Sequence, residues 1–490
     1  MSRQGASTLM RGGLAVGGPS ATLPPGEAAE PPVPSSDAPP LLPSAGGWSL
    51  TLIGFLLYLL VITSYRLPLG EVAIVLALGG TLLQRGGIRF PGYLAMFVAF
   101  SVWAAVAATQ TAFPDWAIPQ LIILLKLCLI VFAAANALQS AGQVRLFMVF
   151  FLGCFALFPL RGAMFNFFIY NSDMQGRAIW NLLYSNPNDL GAMALLQLSM
   201  AAALMAGERQ RWVRWAAIAG IVVLPMLILM TQSRGVFLGL LVFIAIAFAG
   251  HHHRLRLVVR LAALGTVLAL IAPAGVWTRL QSIERATDTS TLDQVDGEEG
   301  SARQRYEIWR VAFKIISEHP IAGVGLGAYK PTHEQYAMDA EFNPTARGAR
   351  DTHSLYFNVL AETGLPGLVL YLSMVGAVFL TAERTRRRCR GIFAVGARQL
   401  LFLEAGLAAF LVASVFGSLP YLPHFLLHLV LIYAVSKFSG QQAAALAAQF
   451  DAGGHRMATR GRGGFHLPAL TSRPAPVSVP HHRASSAGLA

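Results

Sequence analysis

Residues 212–250 read WVRWAAIAGIVVLPMLILMTQSRGVFLGLLVFIAIAFAG, two long apolar runs separated by the short polar stretch TQSRG. Each run is close to the roughly 20 apolar residues that a helix needs to cross a hydrocarbon core of about 30 Å. A polar stretch this short leaves room only for a tight turn. The segment therefore predicts two neighbouring membrane-spanning helices that run in opposite directions, and it decides the fold class.

The composition of the whole chain agrees with this prediction. The chain has 490 residues, of which 55% are hydrophobic and only 12% are charged, and its mean hydropathy is +0.55. A net charge of +13 would fit a nucleic-acid-binding protein, but the arginines occur in short clusters between apolar runs rather than along one stripe. The three cysteines are far apart and form neither a metal-binding nor a disulfide pattern. We expect no nucleic-acid partner.

Apolar runs long enough to span a membrane recur along the chain. They lie near 47–64, 67–83, 92–110, 116–138, 145–161, 188–206, 212–231, 234–250, 257–275, 354–382, 399–417 and 420–437. The length criterion therefore predicts an all-α polytopic membrane protein with about twelve transmembrane helices.

The distribution of cations predicts the sidedness of these helices. Every second loop is basic, and the strongest cluster is the run of arginines between 384 and 398. Because cytoplasmic loops collect Lys and Arg, we expect both termini in the cytoplasm and the long loops 162–187 and 276–353 in the periplasm. We divide the chain into a disordered tail at 1–45, a transmembrane domain at 46–438 and a second disordered tail at 439–490.

Several arginines lie on the predicted outer face, against the bias that orients the protein. Arg177, Arg234, Arg303 and Arg305 belong to this group. Arg234, in the turn between the two runs quoted above, is the clearest case. An arginine at this depth either extends to the lipid headgroups or belongs to an anion site, because its planar fork of donors matches phosphate oxygens.

The large outer loop contains a segment with helical periodicity. In RQRYEIWRVAFKIISEHP at 303–320, Tyr306, Trp309, Phe313 and Ile316 recur at helical spacing, and Pro320 ends the pattern. This predicts an amphipathic helix in the periplasmic loop that lies on the outer membrane surface. A simple interfacial anchor would show the same pattern.

The glycines of IAGVGLGAY at 321–329 superficially match a dinucleotide-binding loop. No βαβ unit surrounds them, so we interpret them as a tight turn or a close backbone approach. HHHR at 251–254 lies beside arginines without carboxylates, which favours a basic loop over a metal site.

His353 stands immediately before a strongly apolar helix. Gly364, Pro366 and Gly367 follow about three turns later and predict a break at membrane depth, which is tolerated only against protein or a wet cavity. We therefore expect residues 354–363 to form a short helix that holds His353 in a polar cleft. A histidine that caps the helix or contacts headgroups is the alternative.

Four stretches together resemble the superfamily of O-antigen ligases and O-antigen polymerases, which are glycosyltransferases of the bacterial inner membrane. They are YSNPNDLGAMALL at 184–196, TQSRGVFLGLL at 231–241, RYEIWRVAFKIISEHPIAGVGLGAY at 305–329 and DTHSLYFNVLAETGLPGL at 351–368. They occur in the family's order. Ser354 departs from the asparagine that many members carry.

The resemblance implies a periplasmic transfer of a glycan from undecaprenyl pyrophosphate to an acceptor hydroxyl. Arg234 and Arg305, with Arg177 as a third, would bind the pyrophosphate, and His353 would accept the proton of the acceptor. Supporting roles are expected for Asp351, Glu362, Arg303 and Asn188. No cofactor and no metal is required, because arginines can neutralise the leaving group.

The resemblance leaves the acceptor open. Ligation of O-antigen to lipid A core in lipopolysaccharide biosynthesis is the favoured reaction, and polymerisation of polysaccharide repeat units or glycan transfer to protein are the alternatives. Outside the transferases, a twelve-helix secondary transporter would require internal repeats, which the sequence does not show. A non-catalytic receptor or scaffold is a further alternative, which an inert His353 would favour.

Overall fold

The computed structural model describes residues 47–84, 87–174, 176–250 and 298–460, with a few positions between 259 and 266. For 298–303 and 451–460 it describes the backbone alone. The HHHR motif, Arg303's side chain, the run at 257–275 and the tail at 1–45 thus lie outside the described part.

The described chain is helical and contains no β-strand within those ranges. Its α-helices, in chain order, are α1 Leu50–Ser64, α2 Gly70–Leu83, α3 Gly92–Ala108, α4 Pro114–Ala137, α5 Ala141–Phe155, α6 Arg161–Phe168, α7 Pro187–Gly207, α8 Arg211–Met230, α9 Arg234–Ala249, α10 Glu298–Glu318, α11 Tyr329–Tyr336, α12 Leu355–Cys389, α13 Ala394–Ala413 and α14 Pro423–Arg460.

Six helical stretches of the described chain are long and apolar enough to cross a membrane. They are Pro114–Ala137, Ala141–Phe168, Pro187–Gly207, Arg211–Met230, Leu355–Cys389 and Ala394–Phe416, and α1, α2, α3 and α9 are shorter apolar helices. The all-α multi-pass membrane fold is therefore confirmed. A total of about twelve crossings stays a prediction from the length criterion.

Two helices end later in the chain than the apolar runs of the sequence indicate. A π-helical turn at Ala156–Leu160, which contains Pro159, joins α5 to α6, so the helix continues to Phe168 rather than ending near 161. Similarly, α14 continues to Arg460, beyond the boundary expected at 438. Both differences arise because a helix does not end where its apolar run ends: propagation adds one hydrogen bond per residue irrespective of burial.

The core of the bundle is built around α7 and α13. Over the most apolar 18 residues of each helix, 83% are buried in α7 and 67% in α13. The two helices pack on each other. Helix α13 also packs on α9, and α12 packs on α3 and α14. Small residues allow close approaches here: a side chain at Gly239 of α9 would lie 2.6 Å from the Ala409 carbonyl oxygen of α13.

The segment between α10 and α12 forms a small folded cap with a core of its own. Val311 and Ile315 of α10 pack with Tyr329 of α11 and with Phe342 of the following segment. This core encloses a different stripe of α10 from the one predicted to lie on the membrane surface. The enclosed stripe carries aliphatic residues at helical spacing, while Tyr306 of the predicted stripe is 62% and Phe313 56% exposed on the protein, and the contact of that stripe with a membrane stays a prediction.

The reason is that α10 has two apolar stripes. The stripe of Ile308, Val311, Ala312 and Ile315 follows the i, i+3, i+4, i+7 spacing and offers small side chains that the cap can enclose. Ile316 is partly buried against the same cluster. The bulkier aromatic stripe lies outside this core, with Trp309 packed against Phe357 of α12 instead. Periodicity alone does not show which of two stripes a core encloses.

Helix α12 is interrupted at Gly364, whose φ of 66° and ψ of −174° are not helical. The break leaves backbone groups without helical partners, and the cap supplies new ones. Val324 N–H donates to Ala361 O at 2.9 Å, Gly325 N–H to Glu362 O at 3.0 Å, and Leu365 N–H to Pro320 O at 2.8 Å. The predicted break is confirmed, and its hydrogen bonds are satisfied by protein.

The glycine-rich loop at 321–329 packs so closely against this break that some of its positions have no room for a side chain. A side chain at Gly323 would lie 2.5 Å from the Glu362 carbonyl carbon, and one at Gly364 would lie 1.9 Å from Ile321 O. Both residues also have positive φ. The interpretation as a close backbone approach is thus confirmed.

Candidate functional site

A polar cavity of about 330 Å³ lies under the cap at one end of the bundle. Its wall combines the N-terminal parts of α4, α7, α11 and α12 with the loop between α13 and α14. The polar lining residues are Gln120, Asp189, Lys330, Asp351, Asn358, Glu362 and Ser418, and the aromatic ones are Trp116 and Tyr421. A cavity with several carboxylate and amide groups and two aromatic side chains suits a polyhydroxylated ligand.

Asp351 is held in the cavity wall by two contacts. Ser418 Oγ donates to Asp351 Oδ1 at 2.5 Å, and Lys330 Nζ lies 3.2 Å from Asp351 Oδ2. The carboxylate is about one quarter exposed. It therefore presents a fixed acceptor to the cavity, beside a cation.

Glu362 lies deeper, on the same face of α12 as Asn358. Asn358 Nδ2 donates to Glu362 Oε1 at 3.4 Å, and Tyr421 Oη donates to Glu362 Oε2 at 3.3 Å. The backbone amide of Gly327 also points at this carboxylate. The cap and the helix bundle thus both contact Glu362, which lies two residues before the interruption of α12 at Gly364.

His353 is half-buried between the cap and α12, and its backbone is in the left-handed region with a φ of 48°. Few residues other than glycine adopt this conformation, and histidine is among those that do so more often. Burial lowers the pKa of His353, the nearby Asp351 raises it, and the charges of Arg305, Lys330 and Arg350 lower it again. The net shift is downward, which favours the neutral imidazole at neutral pH.

Trp309 of α10 fixes the segment that carries His353. Its indole Nε1–H donates to Thr352 O at 2.8 Å, and its ring packs against Phe357 at 5.2 Å between centroids. Arg305 precedes Trp309 by four residues and so lies on the same face of α10. The influence of the Arg305 charge on the pKa of His353 agrees with that position.

The turn before α9 carries Arg234 as the first residue of the helix. Ser233 caps the helix, since its Oγ accepts from Val236 N–H at 3.4 Å, and Gln232 has a positive φ of 50°. The loop that contains Arg177 packs on this turn. Arg177 Nε–H donates to Thr231 O at 2.9 Å, and Ala178 N–H donates to Met230 O at 2.9 Å.

Arg177 also contacts Asn188 at the start of α7, where its Nη2 donates to Asn188 Oδ1 at 2.9 Å. Asn188 is next to Asp189, which lines the cavity. Arg177 therefore links the turn that carries Arg234 to the helix that forms one wall of the cavity. Three of the predicted site residues, Arg177, Asn188 and Arg234, are carried by these contacting segments.

Phe416 connects the turn at Arg234 with the segment at His353. A side chain at Gly235 would lie 3.0 Å from Phe416 Cβ, so the turn lies directly against this ring. Phe416 stacks on Trp309 at 6.5 Å between ring centroids. Three separate motifs of the sequence thus meet through one aromatic pair.

The cavity lining contains Asp351 and Glu362 but not His353, Arg234, Arg305 or Arg177. The sequence analysis missed Asp189, Lys330, Trp116 and Tyr421 as lining residues. Asp189 had a recognisable signal, because an acidic residue in the first turn of an apolar membrane helix marks a functional position. The other three lie in three different segments of the chain, and their meeting depends on the fold.

Within the described residues, no three or more His, Cys, Asp or Glu side chains are grouped so that they could hold a metal ion. The cavity carboxylates lie beside Lys330 and amide groups instead. The arrangement offers hydrogen-bond acceptors for hydroxyls, cations for an anionic group and a neutral imidazole that can take up a proton.

Residues 219–372 match the Wzy_C family model, described as O-antigen ligase. The matched range contains the turn at Arg234, helix α10, the glycine-rich loop and His353, and it confirms the family resemblance stated from the motifs. No curated protein matches the chain.

Proposed function

From the match of residues 219–372 to the O-antigen ligase family model, we propose that the protein transfers a glycan from undecaprenyl pyrophosphate to an acceptor hydroxyl. The reaction takes place on the periplasmic face of the bacterial inner membrane. Lipid A core is the proposed acceptor, which makes the reaction a step of lipopolysaccharide biosynthesis. A growing polysaccharide or a protein hydroxyl is the acceptor in the alternative reactions, which the experiment below separates.

The observation that carries the proposal is the junction of three motifs at Trp309. The same side chain hydrogen-bonds the residue before His353, stacks on the ring that contacts the turn of Arg234, and shares a helix face with Arg305. The segments joined in this way carry a base and two permanent cations, which are the groups that transfer from a pyrophosphate donor needs.

The proposed reaction is a displacement at the anomeric carbon of the donor sugar. The acceptor oxygen forms the new glycosidic bond, and the bond between this carbon and the pyrophosphate oxygen breaks. The electron pair leaves with undecaprenyl pyrophosphate, and the acceptor proton goes to the imidazole of His353. Arg234 and Arg305 stabilise the charge that develops on the departing oxygen, with Arg177 as a third candidate and Arg303 in support.

His353 can act in this way only while its ring is neutral. The lowered pKa of His353, caused mainly by burial, provides that state at neutral pH. The neighbouring Asp351 opposes this shift, because its negative charge favours the protonated ring. A positioned base of this kind typically contributes about 10²- to 10⁴-fold to the rate.

We assign the cavity to sugar hydroxyls of the substrates. Asp351 and Glu362 supply acceptors for hydroxyl groups, and Trp116 supplies an aromatic wall. Arg177 positions the turn of Arg234 through its hydrogen bond to Thr231 O, and Asn188 in turn accepts a hydrogen bond from Arg177. These groups bind and orient the substrates, while His353 accepts the proton of the acceptor hydroxyl.

The test is to replace His353 by Asn, which tolerates the left-handed backbone but does not titrate. We expect normal expression, loss of surface glycan and accumulation of undecaprenyl-linked glycan. His319→Ala, at an exposed histidine of the same cap, is the matched control and should behave as the wild type. Unchanged surface glycan in His353→Asn would refute the role of His353.

The length of the accumulated material separates the acceptors. A lost ligase leaves long polymerised chains on the lipid carrier, whereas a lost polymerase leaves single repeat units. Normal lipopolysaccharide together with unglycosylated protein would indicate transfer to protein. Chromatography of the lipid-linked fraction and electrophoresis of lipopolysaccharide measure these outcomes.

A further inference from the structure

A second pocket, of about 190 Å³, lies between the loop before α3, the end of α4 and α14. It is at the end of the bundle opposite the candidate site. Helix α14 begins at Pro423, which lines the cavity described above, and Lys437 in the second pocket is farther along the same helix by about 21 Å at 1.5 Å per residue.

Two cations line this pocket, and no acidic side chain is among its lining residues in the described chain. Arg89 and Lys437 are both half-buried, and the remaining wall is apolar apart from the hydroxyl of Tyr433. The charge of Arg89 acts on Lys437, so the two are close enough to repel one another. Half-buried like charges are costly unless an anion joins them.

The position of Arg89 is fixed by a buried side chain. Asn136 of α4 is fully buried; its Oδ1 accepts from Arg89 N–H at 2.8 Å, and its Nδ2 donates to Arg89 O at 3.1 Å. The buried side-chain amide of Asn136 thus holds the backbone of Arg89 in place through two hydrogen bonds. The guanidinium has one long hydrogen bond, from Nη1 to Leu138 O at 3.5 Å.

We propose that this pocket binds the phosphate group of an anionic membrane phospholipid. The Arg89 fork matches two phosphate oxygens, and Lys437 adds a point charge. The lipid is favoured as the source of the phosphate because the pocket lies between apolar helices and has an apolar edge: Ile88 and Phe90 are 54% and 56% exposed. Basic pockets between transmembrane helices are typical sites for such headgroups.

The test compares lipids of equal chain length by native mass spectrometry of the purified full chain. Phosphatidylglycerol, which is anionic, should remain bound to the wild type where phosphatidylcholine does not. The double variant Arg89→Gln, Lys437→Gln should bind phosphatidylglycerol about 25-fold more weakly, because each cation near an anionic headgroup contributes about fivefold. The swap Arg89→Lys, Lys437→Arg keeps both charges and should retain binding.

Arg390→Gln with Arg398→Gln is the matched control, since both arginines are exposed and lie outside the pocket. This control should bind phosphatidylglycerol as the wild type does. Equal binding by the Arg89 and Lys437 double variant would overturn the proposal. So would displacement of phosphatidylglycerol by millimolar inorganic phosphate, because the site would then take the free ion.

Discussion

Trp309 donates its indole N–H to the carbonyl oxygen of Thr352 at 2.8 Å, across 43 positions of the chain. The hydrogen bond fixes the residue immediately before His353, whose φ of 48° needs such support. Through Phe416 the same ring also contacts the turn of Arg234. Trp309 is therefore a positioning residue for both halves of the proposed site.

Replacing Trp309 by Phe should lower transfer by about tenfold to a hundredfold, because it removes the hydrogen bond while keeping an aromatic ring, and a small misplacement of a base is costly. Stability should fall by only about 1 kcal/mol. The measurement is glycan transfer by reconstituted protein. Trp212→Phe, at an exposed tryptophan of α8, is the control, and equal transfer by both variants would contradict the positioning role.

Arg234→Lys should reduce transfer by about 100-fold although the positive charge is kept, since an ammonium lacks the paired donors that match a pyrophosphate. Initial rates with a lipid-linked donor measure the effect. Arg161→Lys, at an exposed arginine of α6 outside the cavity, should remain near wild type. Near-normal rates for Arg234→Lys would remove this residue from pyrophosphate binding.

The pH profile of transfer should have an acidic limb below the ordinary pKa of histidine, because burial lowers the pKa of His353 and activity is lost as the pH falls through it. Arg350 lowers this pKa and Asp351 raises it. Arg350→Gln should consequently move the limb to higher pH, and Asp351→Asn to lower pH.

The two opposite shifts are measured as kcat/KM against pH. Arg347→Gln, an exposed arginine nearby that is not among the charges acting on His353, should leave the limb in place. A limb that moves the same way in both Arg350→Gln and Asp351→Asn belongs to another group.

Gly364→Ala should destabilise the protein strongly. Alanine at a φ of 66° costs roughly 1–2 kcal/mol, and its Cβ would in addition lie 1.9 Å from Ile321 O of the cap. Gly376→Ala in the same helix has open space around it and should be neutral or slightly stabilising. Thermal unfolding in detergent compares the two, and equal melting temperatures would show that the cap does not dock at this break.

The orientation can be tested with cysteines in a variant that lacks the three native ones. Thr345, in the cap, and Arg388 are both exposed on the protein, so a cysteine at either position is open to solvent. Thr345→Cys should react with a membrane-impermeant thiol reagent added to the periplasm. Arg388→Cys should not react, because the basic segment around it is predicted to be cytoplasmic. Labelling of position 388 alone would reverse the proposed sidedness and exclude a periplasmic site.

The sequence by itself determined the local features of this protein. Apolar runs such as 188–206 predict helices because a membrane allows few other backbones, and the helix break follows from Gly364 and Pro366. The order of four motifs indicated the resemblance to the O-antigen ligase superfamily, which the match over 219–372 confirms. These signals are all carried by residues close together in the chain, where periodicity and backbone conformation act directly.

Only the tertiary structure decided which distant residues meet. The cavity joins Trp116, Asp189, Lys330 and Tyr421 from four segments, and no local pattern links them. The aliphatic stripe of α10 that the cap encloses was missed for the same reason: two apolar stripes satisfy the same period, and the shape of the partner surface selects the one that is buried in protein. Contacts between remote segments depend on packing, which is a property of the assembled bundle and not of any one stretch.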